Sequence, residues 1–268
     1  MQHALEWIEQ RALMDMNRAL DQEAERLGRV SRAFGSAYAS AFTALPPSAI
    51  VANRTIGLGL AETADDELLD DLVGVYRASG IQRYFVHLHP DAAPADLEQR
   101  LSTKGLESTR AWVKFSRGRE LPPEAATDLE VRLATPADAP ALGRIAAASF
   151  DLGAPGEGVV ASIIGRPNWH VFMTAERGEP AGCGALYVED GIGWLDWGAT
   201  APNHRGRNGQ SALLRQRILH ALDLGCDLLG TCTGEEVPDD PQISYHNILK
   251  MSFTPAYTRR NMAPPKPG

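Results

Sequence analysis

The sequence is poor in cysteine, because its 268 residues include only Cys183, Cys226 and Cys232. Their spacing forms neither a disulfide framework nor a paired zinc motif, so they are typical of a reducing compartment and of a protein without a metal site. Long apolar runs are also missing, and segment 1–20 carries charge throughout. We therefore expect a cytoplasmic protein with no membrane span and no signal peptide.

Basic residues are in deficit as well. The chain has 26 Lys and Arg against 34 Asp and Glu, for a formal net charge of −8. A nucleic-acid phosphate backbone requires a basic surface, so this balance argues against nucleic acid as a partner. The hydrophobic fraction of 44% and the charged fraction of 22% are ordinary for a globular protein. The length suffices for one large domain or two smaller ones.

A polar segment from Ser116 to Asp128 divides the chain. It contains a Pro-Pro pair and lacks both helical and strand periodicity, which is typical of a linker. The sequence therefore predicts a first portion over residues 1–120 and a second over 128–262. The final "APPKPG", residues 263–268, is predicted to be a disordered tail.

The first portion alternates helical and strand patterns. A helix is predicted over Leu5–Leu27, and a second one begins with Thr63 as its N-cap and ends at Gly80. The predicted strands are "AIVANRTIGLGL", "QRYFVHLH" and "STRAWVKF", with a short helix closed by Gly105 before the last of them. This order indicates an α/β fold.

The second portion begins with the strand "DLEVRLA" and a helix that has Thr135 as N-cap, Pro136 at its first position and Asp138 in its first turn. A helix around "GEGVVASIIGRP" and three strands with tight turns at "ERGEP" and "EDG" follow. The remaining predicted elements are a helix from Ser211, the strand "DLLGTCTG", the helix "QISYHNILKM" and the strand "PAYTRRNM". We expect a mixed sheet covered by helices.

The segment "NHRGRNGQ", residues 203–210, joins a predicted strand to a helix N-terminus. The unpaired amides and partial positive charge of a first helical turn attract anions, and Gly206 and Gly209 allow close approach of the backbone. Arg205 and Arg207 add full charges, so the segment predicts a site for a polyanionic phosphate. The alternative is a basic surface turn before an ordinary amphipathic helix.

The element order and the stretch "PNHRGRNGQSALL" resemble the GNAT (GCN5-related N-acetyltransferase) superfamily over about Asp128 to Met262. Its pyrophosphate loop has the form Arg/Gln-x-x-Gly-x-Gly/Ala, and Arg205 matches the leading basic residue. Asn208 and Gln210 depart from the small residues usual there, although asparagine tolerates a positive φ. The first portion resembles a second, degenerate GNAT unit.

The resemblance implies a mixed α/β GNAT fold that binds acetyl-CoA (coenzyme A). The pyrophosphate would lie against the loop, and the pantetheine arm would run along the preceding strand like an added strand. The residues implied in cofactor binding are Gly198, Ala199, Thr200, Arg205, Gly206, Arg207, Asn208, Gly209, Gln210, Ser211 and Asn247, with Ser244 as a further contact.

The resemblance also implies catalytic roles. Strand alternation predicts Asp196, Gly198 and Thr200 on one face, and a carboxylate on this strand often serves as the base; a capping or salt-bridged Asp196 is the alternative. The usual acid is a tyrosine, but its position is occupied by Ile248. Tyr245 is a candidate substitute, with a tyrosine packed on a helix face as the preferred alternative.

The sequence therefore indicates an N-acetyltransferase that uses acetyl-CoA and a small-molecule amine. The alternatives are a CoA-binding sensor that has lost catalysis and a structural domain that ignores CoA. Neither the acceptor nor homo-oligomer formation is specified by the sequence.

The first portion contains a possible metal cluster and an acidic helix start. His87, His89 and Asp91 resemble part of a metal cluster, but ordinary residues at a strand end are favoured. In the first portion, the junction corresponding to the phosphate loop reads "AETADDELLDD", whose carboxylates would repel a phosphate. We therefore expect one CoA site per chain, with the first portion serving packing and one wall of the acceptor pocket.

Overall fold

The computed structural model describes residues 3–238 and 242–266. It divides into two compact units: the first comprises Met1–Trp112 and Tyr257–Gly268, and the second comprises Val113–Ala256. Helices in the described residues are all too short or too polar to cross a membrane.

The first unit is built on a sheet whose strand order is β1-β2-β3-β4-β11. The pairs β1–β2, β2–β3 and β4–β11 are antiparallel, whereas β3 and β4 are parallel and joined through a helix. Its elements are α1 (Ala4–Ala19), α2 (Ala24–Leu27), β1 (Arg29–Phe34), β2 (Ala37–Phe42), β3 (Arg54–Ile56), α3 (Asp66–Ala78), β4 (Phe85–Leu88), α4 (Leu97–Thr103), the start of β5 (Glu107–Arg117) and most of β11 (Thr254–Ala263).

The helix predicted over Leu5–Leu27 is shorter, because α1 ends at Ala19. The guanidinium of Arg29 donates to the carbonyl of Asn17 and so satisfies one of the free acceptors at this helix end. A 3-10 turn, Asp21–Glu23, and α2 then lead into β1.

Other predicted boundaries of the first unit also change. The predicted strand over Ala49–Leu60 contracts to β3, since Gly57 and Gly59 take φ values of 89° and 73° that end it. The N-cap of α3 is Asp65 rather than Thr63, because an Asp65 carboxylate oxygen accepts from the Leu68 amide at 2.9 Å. Strands β1 and β2 were not predicted.

The division between the units differs in detail from the predicted linker. It falls between Trp112 and Val113 inside β5, before the polar segment that begins at Ser116. The last strand, assigned by sequence to the second portion, belongs to the first unit from Tyr257 onward because it pairs with β4.

The predicted disordered tail begins inside this strand. Ala263 ends β11 and is fully buried, and the carbonyl of Pro264 accepts a hydrogen bond from Arg83. Residues 267 and 268 of the predicted tail lie outside the described residues.

The second unit has the strand order β5-β10-β9-β8-β7-β6. Strands β6 to β9 form an antiparallel meander, and β10 is parallel to β9. Its elements are the end of β5, β6 (Glu130–Leu133), α5 (Ala139–Ser149), α6 (Glu157–Ala161), β7 (Trp169–Glu176), β8 (Glu179–Glu189), β9 (Ile192–Thr200), α7 (Gly209–Asp223), β10 (Leu228–Gly234), α8 (Ile243–Lys250) and the start of β11.

The predicted turns and caps of this unit are confirmed. Arg177-Gly178 and Asp190-Gly191 both have positive φ values, as two-residue hairpin turns of the favoured hand require. Thr135 and Asp138 form a reciprocal capping box at the start of the helical segment that leads into α5. Helix α7 begins at Gly209, two residues before the predicted start at Ser211.

Each unit contains the same strand–helix–strand motif. In the first unit β3 and β4 are parallel neighbours joined through α3, and in the second β9 and β10 are parallel neighbours joined through α7. The first portion therefore has the GNAT-like arrangement that its resemblance implied.

A buried ionic cluster lies in the core of the first unit. Glu6 and Glu9 of α1 are 1% and 0% exposed, and Arg54 and Arg259 are 4% and 0% exposed. Arg259 lies 3.1 Å from Glu6 and 2.6 Å from Glu9, and Arg54 lies 2.5 Å from Glu9. The hydroxyl of Tyr257 donates to Glu6 at 2.8 Å. The cluster contains two cations and two carboxylates, so each buried charge is compensated by an opposite charge within the cluster.

We expect Arg259→Met to destabilise the protein by about 3–5 kcal/mol, because Glu6 and Glu9 would stay buried after the loss of a cation that they share. Arg260→Met is the matched control: Arg260 is 68% exposed and pairs with Glu98 at the surface, so its loss is expected to cost about 0–1 kcal/mol. Urea unfolding of both variants measures the difference. Equal, small losses would show that the cluster contributes no more than a surface pair.

Candidate active site

Strands β9 and β10 separate part-way along their length. Parallel pairing joins Leu228–Gly230 to Ile192–Trp194 and stops there. At the point of separation the hydroxyl of Thr231 donates to the carbonyl of Leu195 at 2.9 Å. The strands beyond this point therefore leave a slot whose backbone groups can accept a ligand.

A β-bulge lies on β9 inside the slot. Ala185 pairs with Asp196 and Cys183 pairs with Ala199, so three steps on β9 match two on β8. Trp197 takes a φ of 52° at the extra residue. The bulge reverses the alternation of side chains beyond it. The prediction that Asp196, Gly198 and Thr200 share one face is therefore wrong: Asp196 and Thr200 lie on opposite faces.

Two adjoining cavities occupy the slot and the start of α7. The smaller, of about 150 Å³, is lined by Phe150, Leu195, Asp196, Trp197, Gly198, Gln210, Leu214, Arg217, Thr231, Cys232, Thr233, Ser244, Asn247 and Ile248. The larger, of about 480 Å³, is lined by Ser149, Gly198, Ala199, Thr200, His204, Arg205, Gly206, Asn208, Gly209, Gln210, Ser211, Ile243, Ser244 and Asn247. Four residues are common to both linings, so the cavities adjoin.

The N-terminus of α7 faces the larger cavity and has no side-chain cap. Asn208 precedes the helix with φ 59° and ψ 15°, the left-handed conformation expected for this asparagine. No acidic residue lies in the first turn. The first amides of a helix have no intrahelical acceptor, so those of Gly209, Gln210 and Ser211 remain available to an anion.

The corresponding helix of the first unit differs at this position. The N-terminus of α3 is capped by Asp65, and Asp66 and Glu67 lie in its first turn. These carboxylates already interact with the positive helix end. The sequence prediction of an acidic, phosphate-repelling helix start agrees with this geometry.

The two arginines of the loop have different roles. Arg205 is exposed and lines the larger cavity, and its side chain makes no ion pair or hydrogen bond with any described residue. Arg207 is held by two carboxylates: it contacts Asp128 through two nitrogens, at 3.1 and 2.5 Å, and Glu176 at 3.0 Å.

Hydrogen bonds from Arg207 lower the pKa of both Asp128 and Glu176. The expectation that both guanidiniums face an anion is therefore corrected. Arg207 joins the loop to the neighbouring strands, and Arg205 is the cation available to a ligand.

The two residues that depart from the GNAT loop both make hydrogen bonds. The side chain of Asn208 donates to the carbonyl of Ala126 at 2.8 Å. Gln210 Nε2 donates to the Ala199 carbonyl at 2.7 Å and to the Thr200 hydroxyl at 2.9 Å. Gln210 therefore holds the first turn of α7 against the end of β9.

Asp196 is half-buried and lines the smaller cavity. One carboxylate oxygen accepts from the indole N–H of Trp194 at 3.2 Å, and the other accepts from the amide of Trp197 at 2.8 Å. These donors fix the orientation of the carboxylate. The bulge therefore holds the predicted base at the cavity.

Tyr245 lies on a different side of α8 from the cavities. Its ring packs edge-on against Phe115 at 4.9 Å and joins the apolar core of the second unit. The geometry does not support Tyr245 as a substitute for the usual tyrosine acid. It matches the alternative of a tyrosine packed on a helix face. Ser244 and Asn247 line both cavities, and Ile248 lines the smaller one.

Sequence reasoning missed Arg217, which is 2% exposed and lines the smaller cavity. Its guanidinium donates to the carbonyls of Leu213, Ala185 and Asp196 at 3.0–3.1 Å. Burial lowers the pKa of Arg217 to about 10, so it stays charged at neutral pH. A signal existed in the sequence: Arg217 falls on the apolar stripe of α7.

The histidines singled out by sequence lie in the first unit. His87 is buried with Nδ1 2.6 Å from the Asn261 side-chain oxygen, and burial lowers its pKa well below the usual value. His89 and Asp91 instead lie beside His3, with a hydrogen bond from the Asp91 amide to His89. His87 thus lies apart from the other two residues, whereas one ligand atom from each of His3, His89 and Asp91 lies within 4.8 Å of the others, close enough to hold a metal ion.

The solved structures that are similar to this chain include GCN5-related N-acetyltransferases. One from Kribbella flavida has a TM-score of 0.61 at 15% identity and covers 94% of this chain and 96% of its own. One from Sphaerobacter thermophilus has a TM-score of 0.57 at 12% identity, over 85% of this chain and 76% of its own.

A tandem GNAT protein from the clavulanic acid biosynthesis pathway matches with a TM-score of 0.54 at 12% identity, over 78% of this chain and 73% of its own. No protein-family profile and no curated protein sequence matches. The chain has the GNAT fold.

The geometry of the site can be compared directly with the shape and charge of coenzyme A. Uncapped amides and the unpaired Arg205 suit a pyrophosphate, which is polyanionic. The slot between β9 and β10 suits a narrow extended chain, and it leads to the smaller cavity. The residues present therefore fit the group.

Proposed function

We propose that the protein is an acetyl-CoA-dependent N-acetyltransferase that acts on a small amine. The observation that supports this most is the continuity of the site. Free helix amides and Arg205 lie at one end, and a cavity with the oriented carboxylate of Asp196 lies at the other. An anion-binding end and a base-bearing end are the two components that acyl transfer to an amine requires.

In this proposal Arg205 and the amides of Gly209, Gln210 and Ser211 hold the pyrophosphate. Gly198, Thr200, Ser244 and Asn247 line the path toward the smaller cavity. Bound acetyl-CoA supplies an activated acyl group as a thioester. Asp196 accepts a proton from the amine, directly or through water, because its two oxygens are fixed at the cavity by neighbouring N–H donors.

Incubation with acetyl-CoA and a panel of small amines, scored by the release of free CoA thiol, tests this proposal. Amine-dependent release together with acetylated product supports it. Binding of CoA without turnover would indicate the sensor alternative, for which Ile248 at the usual tyrosine position is the argument. Absence of CoA binding would contradict both.

The first prediction separates the two loop arginines. Arg205→Ala is expected to weaken CoA binding about tenfold and to flatten its dependence on salt, because a charge-assisted contact to phosphate is lost. Arg207→Ala is the matched control, since its contacts are to Asp128 and Glu176. It should mainly lower the melting temperature. Calorimetric titration at two salt concentrations provides the measurement, and unchanged affinity in Arg205→Ala would contradict the phosphate role.

A second prediction concerns Asp196. Asp196→Asn should lower turnover by about 100-fold or more while it leaves CoA affinity nearly intact, because the amide has a similar shape but cannot accept the proton. The acidic limb of the pH–rate profile should disappear as well. If thermal unfolding shows that stability and activity fall together, then the carboxylate serves structure rather than catalysis.

The third prediction is that CoA saturates the protein at about one molecule per chain. The α7 N-terminus is uncapped, whereas Asp65, Asp66 and Glu67 occupy the N-terminus of α3. A pyrophosphate at α3 would be repelled by these carboxylates. Calorimetric stoichiometry measures the number of sites, and saturation at two molecules per chain would show that the acidic helix start does not prevent binding.

A further inference from the structure

Arg217 is a buried cation that forms no ion pair with a carboxylate in the described part of the chain. Its Nε and Nη1 donate to backbone carbonyls, and the carboxylate of Asp196 and the thiol of Cys183 interact with it electrostatically. A buried charge is ordinarily paired with an opposite charge, because desolvation is costly. This guanidinium therefore retains the capacity to interact with a further anionic group.

The geometry leaves one end of this guanidinium available. Nε and Nη1 donate to backbone carbonyls, whereas Nη2 donates to no described residue. The guanidinium fills the space above Gly184, where a Cβ would lie 2.6 Å from Cζ. Nη2 lies 3.9 Å from the position that a Cβ on Gly198 would take, at the wall of the smaller cavity.

We propose that Arg217 stabilises the coenzyme A thiolate in the smaller cavity, as a catalytic residue that replaces the usual tyrosine acid. This inference rests on the proposed function. When the acceptor nitrogen attacks the thioester carbon, the carbon–sulfur bond breaks and sulfur leaves with the bonding electron pair. The proton of the amine passes to the base, so the sulfur needs charge stabilisation rather than a proton.

The surroundings of Arg217 favour this role. Ile248 lines the same cavity and has no proton to donate. Thioesters and thiols are neutral, so a fixed cation interacts much more strongly with the thiolate than with either of them. Stabilisation would therefore be greatest where negative charge develops on sulfur. Asp196, at the same cavity, contributes the base and carries the opposite charge.

The test compares CoA with desulfo-CoA, which lacks the thiol, and needs no acceptor. Calorimetric affinities are measured from about pH 7 to about pH 9, a range that includes ordinary thiol pKa values. Arg217 stays charged over this range, since its pKa is about 10. The wild type should bind CoA roughly tenfold more tightly than desulfo-CoA once the thiol ionises, because a neighbouring cation lowers its pKa by about one unit or more.

Ultraviolet absorbance of the bound thiolate, followed during a pH titration, gives the thiol pKa directly. Arg217→Met should abolish both the lowered pKa and the preference for CoA, with affinity for desulfo-CoA unchanged. Arg217→Lys should restore part of each effect. Arg215→Met is the matched control, because it removes a cation from the same helix that pairs with Glu124 away from the cavity. Both wild-type properties should persist in it.

Several results would overturn the inference. If wild type binds CoA and desulfo-CoA equally at every pH, Arg217 does not stabilise the thiolate, although the proposed function stands; this comparison holds even if Arg217→Met fails to fold. If neither ligand binds, the proposed function fails as well. If Arg217→Met instead removes a preference for malonyl-CoA over acetyl-CoA while the thiol pKa is unchanged, the guanidinium recognises an acyl carboxylate.

Discussion

The separation of β9 and β10 after three paired residues is the constraint on which the candidate site depends. Continuous pairing would close the slot, and without the bulge at Trp197 the alternation of β9 would carry through unchanged. The same separation places α7 with its first turn toward the slot and its Arg217 against the bulge carbonyls. The backbone of two strands thus brings the uncapped amides of α7 and the carboxylate of Asp196 to one site.

Helices α3 and α7 occupy the same place in their strand–helix–strand motifs, but the charges at their N-termini differ. Each helix connects two parallel strands, so its N-terminus, with its partial positive charge, lies at the end where the preceding strand finishes. Asp65 satisfies an amide of α3. At α7 the carboxylates of Asp128 and Glu176 are engaged by Arg207, which leaves the amides and Arg205 to a ligand. The loop thus keeps its positive character despite a net charge of −8 for the chain.

Local sequence signals predicted much of the fold. Turn residues, caps and strong periodicity identified the β7–β9 meander, the Thr135 cap and α7, because those features depend on neighbouring residues. Strands β1 and β2 were missed because β1 is largely polar with only Phe34 buried, and β2 consists mostly of alanine and serine, which are weak strand formers. Partner choices at long range, such as those of Arg207 and Arg217, and the bulge at Trp197 depend on the register between strands, which no local pattern encodes. The division of the chain inside β5 has the same origin.

The structure offers a physical explanation both for Asn208 and Gln210 in the loop and for the missing tyrosine. The side chains of Asn208 and Gln210 donate hydrogen bonds to backbone carbonyls, and these bonds hold the loop in place. Smaller residues could not make them, so the loop would then depend on the ligand for its order. A methionine in place of Arg217 would fill the same helix face without a desolvation cost. A buried guanidinium whose free nitrogen faces the cavity is therefore poorly explained by packing alone. In the proposed reaction the cavity would receive negative charge, because Ile248 offers no proton to the departing sulfur, and this charge would explain the guanidinium.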